Sequence, residues 1–174
     1  IRRGYLSEGR DFLEQALARS GGASPLVRAK ALITAARIAL SQGDYDRGEA
    51  WAEEGLAVCR ERGEKVSAAF SLYLLAWVAG ERGNAEAARA WHEESLALSR
   101  EVGDKENVAY ELDELARLFS KQGDYDRACA LVKESLAIHR ELSNKWGLAS
   151  SLYNLADILL ASQGDLALGR EENI

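Results

Sequence analysis

Three stretches of the chain decide its fold, because they repeat one another. They are QGDYDRGEAWAEEGLAVCRERG from Gln42, RGNAEAARAWHEESLALSREVG from Arg82 and QGDYDRACALVKESLAIHRELS from Gln122, at a constant offset of 40 residues. A shorter copy, QGDLAL, starts 41 residues further on at Gln163, and GYLSEGRDFLEQALA from Gly4 aligns with the second half of the unit. A period of about 20 to 50 residues is typical of stacked repeats.

The composition indicates that the repeated unit is helical. The chain contains one proline, Pro25, and is rich in alanine, leucine, glutamate and arginine, which are strong helix formers. Leu72, Leu75 and Ala76 are spaced as on one buried face of a helix. The sequence therefore predicts an all-α protein. Because the chain opens at Ile1 and contains no methionine, we also expect it to be a segment of a longer protein.

Each unit is predicted to contain two helices joined by a sharp turn. Glycine ends a helix readily because it adopts the left-handed conformation without steric cost, and a following aspartate or asparagine caps the next helix. We expect such turns at Gly43–Asp44, Gly83–Asn84, Gly123–Asp124 and Gly164–Asp165. Small residues early in the second helices should allow close helix approach; they are Gly48, Ala88 and Ala128.

These residues resemble the tetratricopeptide repeat. Its motif elements are matched by Leu32, Ala36, Gly43, Tyr45 and Gly48 in one unit and by Leu112, Ala116, Gly123, Tyr125 and Ala128 in another. The unit here is about six residues longer than the usual one. The resemblance implies a right-handed superhelical solenoid of antiparallel helix pairs. The style of repeats such as HEESLALSREVGDK also resembles the repeat arms of bacterial STAND-class signal-transducing ATPases and transcriptional regulators.

The repeat period divides a single predicted solenoid domain. Residues 1–22 would form the second helix of a leading repeat, followed by repeats at 23–68, 69–108 and 109–148, and by a fourth repeat with a shortened second helix at 149–174. Each repeat of a solenoid packs on its neighbours, so we expect exposed seams at both ends and a tendency to self-associate.

In tetratricopeptide proteins the first helices line a concave groove, and the resemblance implies that a partner binds there. The family's groove positions correspond to Arg37, Tyr73, Trp77, Asp113, Arg117, Tyr153, Asn154 and Asp157, together with Ile33, Thr34, Leu74 and Glu114. Tyr73 and Trp77 are spaced i, i+4 and should form an adjacent aromatic pair, of the kind that anchors interfaces. Alternatively, both pack between neighbouring helices. The lysine and asparagine clamp of chaperone-binding members is absent from these positions.

The other tryptophans are expected to serve the architecture. Trp51 and Trp91 occupy equivalent positions on second helices, where the family packs a large residue against a neighbouring helix. Trp146 follows Ser143 and Asn144 at the start of a first helix, and we expect it to cover the preceding junction between repeats.

No chemical motif predicts catalysis. The signatures GxxxxGK[ST], GxGxxG, HExxH and GxSxG are absent, so we expect no enzymatic activity, cofactor or metal. His92 and His139 are expected to be surface or packing residues. Cys59 and Cys129 are 70 residues apart and read as ordinary helix residues of a reducing, cytoplasmic compartment. A net charge of −6 without basic blocks argues against nucleic-acid binding, and no apolar run predicts a membrane span.

The leading interpretation is a protein-interaction scaffold, acting as the regulatory or sensing arm of a larger bacterial signalling protein. Its partner would be a protein or peptide in the concave groove, or another domain of the parent chain. A second interpretation is a superhelix that senses a small molecule, for which Tyr73, Trp77, Asp113 and Arg117 are the clustered candidates. A third is a structural spacer.

Overall fold

The computed structural model describes residue 15 and residues 24–171, with side chains up to residue 165. Within residues 24–171 the secondary structure is entirely helical. The helices are α1 (Pro25–Ser41), α2 (Tyr45–Arg62), α3 (Lys65–Glu81), α4 (Ala85–Val102), α5 (Lys105–Lys121), α6 (Tyr125–Glu141) and α7 (Lys145–Glu171). The all-α prediction is confirmed. The helix predicted for 1–22 lies outside the described residues, apart from residue 15.

The helices form two compact units. The first ends at Val102 and contains α1 to α4, and the second begins at Gly103 and contains α5 to α7. Consecutive helices pack against each other within each unit, and α1 also contacts α3, as α5 contacts α7. Such contacts between nearest and next-nearest helices are those of a helical repeat. None of the described helices is long and apolar enough to cross a membrane.

Three of the four predicted glycine turns are confirmed. Gly43, Gly83 and Gly123 have φ angles of 82°, 74° and 79°, in the left-handed region. The next residue then caps the following helix with a side-chain oxygen. Asp44 accepts from the amide of Arg47 at 3.4 Å, Asn84 from Ala87 at 3.1 Å and Asp124 from Arg127 at 3.2 Å.

A second set of turns, between one repeat and the next, was missed by the sequence analysis. Gly63 and Gly103 have φ angles of 67° and 74°, and Ser143 occupies the third such position with φ 53°. Capping residues follow these turns as well. Glu64 accepts a hydrogen bond from the amide of Ser67 at 2.7 Å, and Asp104 accepts one from the amide of Asn107 at 3.1 Å. The recurrence of these residues every 40 positions was the signal that could have found the turns.

The turn predicted at Gly164 is wrong. Gly164 lies inside α7, which continues through it to Glu171. Asp165 does not cap a new helix; its carboxylate accepts a hydrogen bond from the Tyr125 hydroxyl. A glycine inside a helix costs only about 0.5–1 kcal/mol, so helix-forming neighbours can carry the helix across it. The boundaries of the repeats remain a prediction.

Close approach of α1 and α2 depends on glycine. A Cβ atom on Gly48 would lie 2.3 Å from Cδ2 of Leu40, and one on Gly55 would lie 2.6 Å from Cγ1 of Ile33. The apolar side chains of α1 therefore fill the space that side chains on α2 would need. This confirms the close packing predicted at Gly48.

The predictions for the tryptophans have mixed outcomes. Trp51 and Trp91 are half-buried and pack against the hydrophobic core of the first unit, as expected. Trp146 does not cover a junction, because its side chain is 82% exposed. Its neighbour Gly147 is the residue that faces α6, and adjacent helix residues point about 100° apart. Trp146 is therefore directed towards solvent.

Candidate partner-binding surface

In the first unit the predicted groove residues differ in exposure. Arg37 on α1 is exposed, and Tyr73 and Trp77 on α3 are half-buried and pack against the core. Ile33 and Leu74 are 3% and 0% exposed, so the prediction that these two line an open surface is wrong. Both alternatives for the aromatic pair therefore hold in part, because the two side chains pack against the core and remain partly exposed.

The environment of Tyr73 is aromatic. Its ring lies nearly parallel to that of Phe70, with centroids 6.0 Å apart and an interplanar angle of 10°. The edge of His92 on α4 approaches at 6.2 Å and 63°. His92 is only 3% exposed, which makes it a packing residue.

The charge of Arg37 is not neutralised by the described residues, with which it forms no ion pair or hydrogen bond. In contrast, Lys30, which lies about two turns before Arg37 on α1, has its ammonium nitrogen 3.5 Å from a carboxylate oxygen of Glu64. Arg117 occupies the position of Arg37 in the second unit and pairs with Glu114. Of these two equivalent arginines, Arg37 is thus the one available to a carboxylate from elsewhere.

The predicted site residues on α7 are accessible to different degrees. Tyr153 is 68% exposed. Asp157 is exposed and Asn154 is half-buried. These three residues lie along little more than one turn of α7, so they can contact one partner together.

Asp113 is not a surface residue. It is 6% exposed, and its Oδ2 accepts hydrogen bonds from the hydroxyls of Ser135 on α6 at 3.0 Å and Ser151 on α7 at 2.6 Å. Burial raises the pKa of Asp113 above its ordinary value, opposed by these hydrogen bonds and by His139. The expectation that Asp113 lines an exposed groove is wrong, because its side chain joins three helices in the interior of the second unit.

His139 lies beside this carboxylate. The ring is fully buried, and its Nε2 is 3.8 Å from Oδ2 of Asp113. The ring occupies the space above Gly147 on α7, where a Cβ atom would lie 2.3 to 2.7 Å from the imidazole. Tyr110 on α5 meets it edge-on at 5.5 Å. His139 is therefore a packing residue, as expected.

Sequence reasoning missed Ser135, Ser151 and Gly147 as the surroundings of Asp113. A signal was present in the repeat. Ile33 contacts Gly55 and Asp113 contacts Ser135, and in both pairs the residues are 22 positions apart. Aligning the units would have placed Ser135 opposite Asp113.

Among residues 24–165, no three metal-ligating side chains come together. The four candidates for small-molecule sensing fall in different units, Tyr73 and Trp77 in the first and Asp113 and Arg117 in the second. A surface cleft of about 450 Å³ in the second unit is lined by Gly123, Asp124, Tyr125, Asp126, Ser162 and Asp165.

Helices that pack consecutively, with turns and caps recurring every 40 residues, define a helical repeat protein. The family model of the tetratricopeptide repeat matches residues 27–101 and 107–168. The chain therefore belongs to the tetratricopeptide repeat family.

Solved structures show the same fold. BtubC (BKLC) from P. vanneervenii superposes with a TM-score of 0.81 at 20% identity, over 93% of this chain and 68% of that one. The apo form of RapI superposes with a TM-score of 0.84 at 17% identity, over 96% of this chain and 62% of that one. A third structure contains nearly identical TPR-like repeats of a putative kinesin light chain from Podosopora anserina. It superposes with a TM-score of 0.73 at 21% identity, over 98% of this chain and 84% of that one. At these identities the likeness establishes the fold alone. No curated protein matches the chain in sequence.

Proposed function

We propose that this chain is a non-catalytic protein-interaction scaffold that binds a protein or peptide through its first helices. The observation that carries the proposal is the presence of Arg37 and Trp77 at equivalent, accessible positions of neighbouring repeats. They occupy the same repeat position on α1 and α3, two helices in contact, and each keeps an accessible side chain. Arginine and tryptophan are the residue types most often found to dominate interface energies.

The finer role that we propose is the regulatory or sensing arm of a larger bacterial signalling protein. The resemblance of the repeats to the arms of such proteins supports it. The partner is then a separate protein or another domain of the parent chain, and binding also involves Tyr73 in the first unit and Arg117, Tyr153, Asn154 and Asp157 in the second.

The experiment compares variants against a partner isolated with the wild-type chain. Trp77→Leu and Arg37→Gln should each weaken binding, and Tyr73→Ala combined with Trp77→Ala should weaken it by more than about 2 kcal/mol. Arg60→Gln is the matched control, because Arg60 is an exposed arginine on a second helix, where it pairs with Glu94. The dissociation constant of each variant for the partner is measured by titration calorimetry. If Arg37→Gln and Trp77→Leu bind as tightly as Arg60→Gln, the surface is wrongly assigned.

The second candidate is small-molecule sensing, favoured by the polar cleft around Tyr125 and Asp165. A ligand that binds the folded state raises the melting temperature with its concentration. We would conclude that the primary ligand is a small molecule and not a protein if a metabolite raised the melting temperature of the wild type but not that of Asp165→Asn.

A further inference from the structure

A group of side chains that we call the polar junction lies inside the second unit. It consists of Asp113 on α5, Ser135 and His139 on α6, and Ser151 and Gly147 on α7. Both serines donate to Oδ2 of Asp113, and their hydroxyls are 3.1 Å apart. In contrast, Oδ1 of Asp113 and both ring nitrogens of His139 are buried without a hydrogen-bond partner. Buried polar atoms are normally paired, so the junction is incomplete in this state.

Protonation of His139 would ensure a hydrogen-bond donor at Nε2, the ring nitrogen that faces Oδ2 of Asp113. Nε2 of His139 is 3.8 Å from Oδ2 of Asp113, beyond the usual limit of about 3.2 Å for such a hydrogen bond. A neutral imidazole has a single N–H, whereas the protonated ring has two donors and a positive charge. A movement of less than about 1 Å would therefore convert the contact into a charge-assisted hydrogen bond.

The side chains around Asp113 and His139 do not supply a positive charge that could neutralise the carboxylate. Glu114 and Tyr110 face the pair from α5, Ser135 from α6, and Gly147 and Ser151 from α7. Of these, Glu114 is the charged group, and its negative charge raises the pKa of Asp113 further. An ionised Asp113 beside a neutral His139 is thus a buried negative charge without a counter-ion, which is an unfavourable arrangement.

We propose that Asp113 and His139 form a proton-operated latch between α5 and α6, against which α7 is held by the Ser151 hydrogen bond to Asp113 and by the packing of Gly147 on His139. Proton uptake by His139 closes the ion pair, and proton loss leaves the carboxylate uncompensated and loosens α7. The regulatory consequence rests on the proposed function: α7 carries Tyr153, Asn154 and Asp157, so acidification would strengthen partner binding there. The latch itself does not require that function.

The test follows α7 in the 174-residue chain without any partner. Histidine is the side chain whose charge ordinarily changes between about pH 5 and pH 8, so amide hydrogen exchange is measured across that range and corrected for intrinsic rates. We expect the amides of α7 to exchange about tenfold more slowly at the acidic end, because the opening that exposes them would then have to break a charge-assisted hydrogen bond. The difference should disappear in Asp113→Asn and in His139→Gln.

The matched control is His92→Gln, because His92 is also a buried histidine but lies in α4 of the first unit. This variant should keep the full pH difference in α7. If the difference is missing in the wild-type chain, or persists in both junction variants, the latch is refuted. Loss of the difference in His92→Gln as well would refute it too.

A measurement on the wild-type chain guards against variants that fail to fold. The imidazole resonances of His139 and the amide resonances of α7 should shift with one common midpoint. The proposal would be overturned if the amide resonances of α7 did not change over the pH range in which the His139 resonances change. Arg37 and Trp77 lie in the first unit, so this failure would leave their proposed role in partner binding intact.

Discussion

The hydroxyl of Ser151 donates a 2.6 Å hydrogen bond to Oδ2 of Asp113 and so connects α7 to α5. Ser135 reaches the same oxygen from α6, so one carboxylate oxygen joins three helices. In the first unit the corresponding positions are Ile33, which packs onto Gly55, and Tyr73, which stacks on Phe70. The same place in the repeat therefore makes an apolar contact at Ile33 and a polar one at Asp113. We therefore expect the stability of the second unit to depend on pH.

Asp113→Asn tests that sensitivity. Burial raises the pKa of Asp113, so the folded state prefers the protonated acid. Its contribution to stability is fully present below the ordinary aspartate pKa of about 3.9 and is lost as the pH rises through the higher folded value. We expect the wild type to lose stability relative to the variant over that interval, as measured by urea unfolding. A pH-independent difference between the wild type and Asp113→Asn would contradict the assignment.

Gly147→Ala tests the packing of His139. The new Cβ would lie 2.3 to 2.7 Å from a ring that cannot move into solvent, because it is fully buried. Overpacking of this kind typically lowers the free energy of unfolding by about 1–3 kcal/mol. Gly80→Ala is the control. Gly80 is in α3, where an added Cβ would meet no atom within 4 Å outside its own stretch of helix backbone, so alanine should raise the free energy of unfolding by about 0.5–1 kcal/mol. Equal effects of the two substitutions would argue against this contact.

Gly164→Ala distinguishes a continuous α7 from a turn. In a continuous helix alanine should raise the free energy of unfolding by about 0.5–1 kcal/mol. Gly123→Ala should lower it by about 1 kcal/mol or more, because Gly123 has φ 79° and alanine is strained there. Chemical unfolding of the two variants in parallel provides the comparison. If both lose stability, the chain turns at Gly164 after all, as the repeated sequence predicts.

The repeat predicted the fold better than the site, for a physical reason. The turns at Gly43, Gly83 and Gly123 depend on local conformation, which the sequence around each glycine determines. Exposure depends on what packs against a position. Ile33, Asp113 and Tyr153 share one place in the repeat, but they are 3%, 6% and 68% exposed. The family pattern could therefore locate candidate groove residues, but it could not show that Asp113 would turn inward to Ser135 and Ser151.

Two leucines at the same place in the repeat allow the exposure of α7 to be measured. Leu112 on α5 is fully buried, whereas Leu152 on α7 is 48% exposed, and no described helix follows α7 to cover it. Leu112→Ala should lower the free energy of unfolding by about 2–5 kcal/mol, because it leaves a cavity in the core. Leu152→Ala should cost less than about 1 kcal/mol, since its side chain keeps much of its contact with water when folded. Both values come from urea unfolding under the same conditions. A large loss for Leu152→Ala would mean that in solution another segment, or a second molecule, covers this face of α7; a protein-concentration dependence of that loss would then identify self-association as the cause.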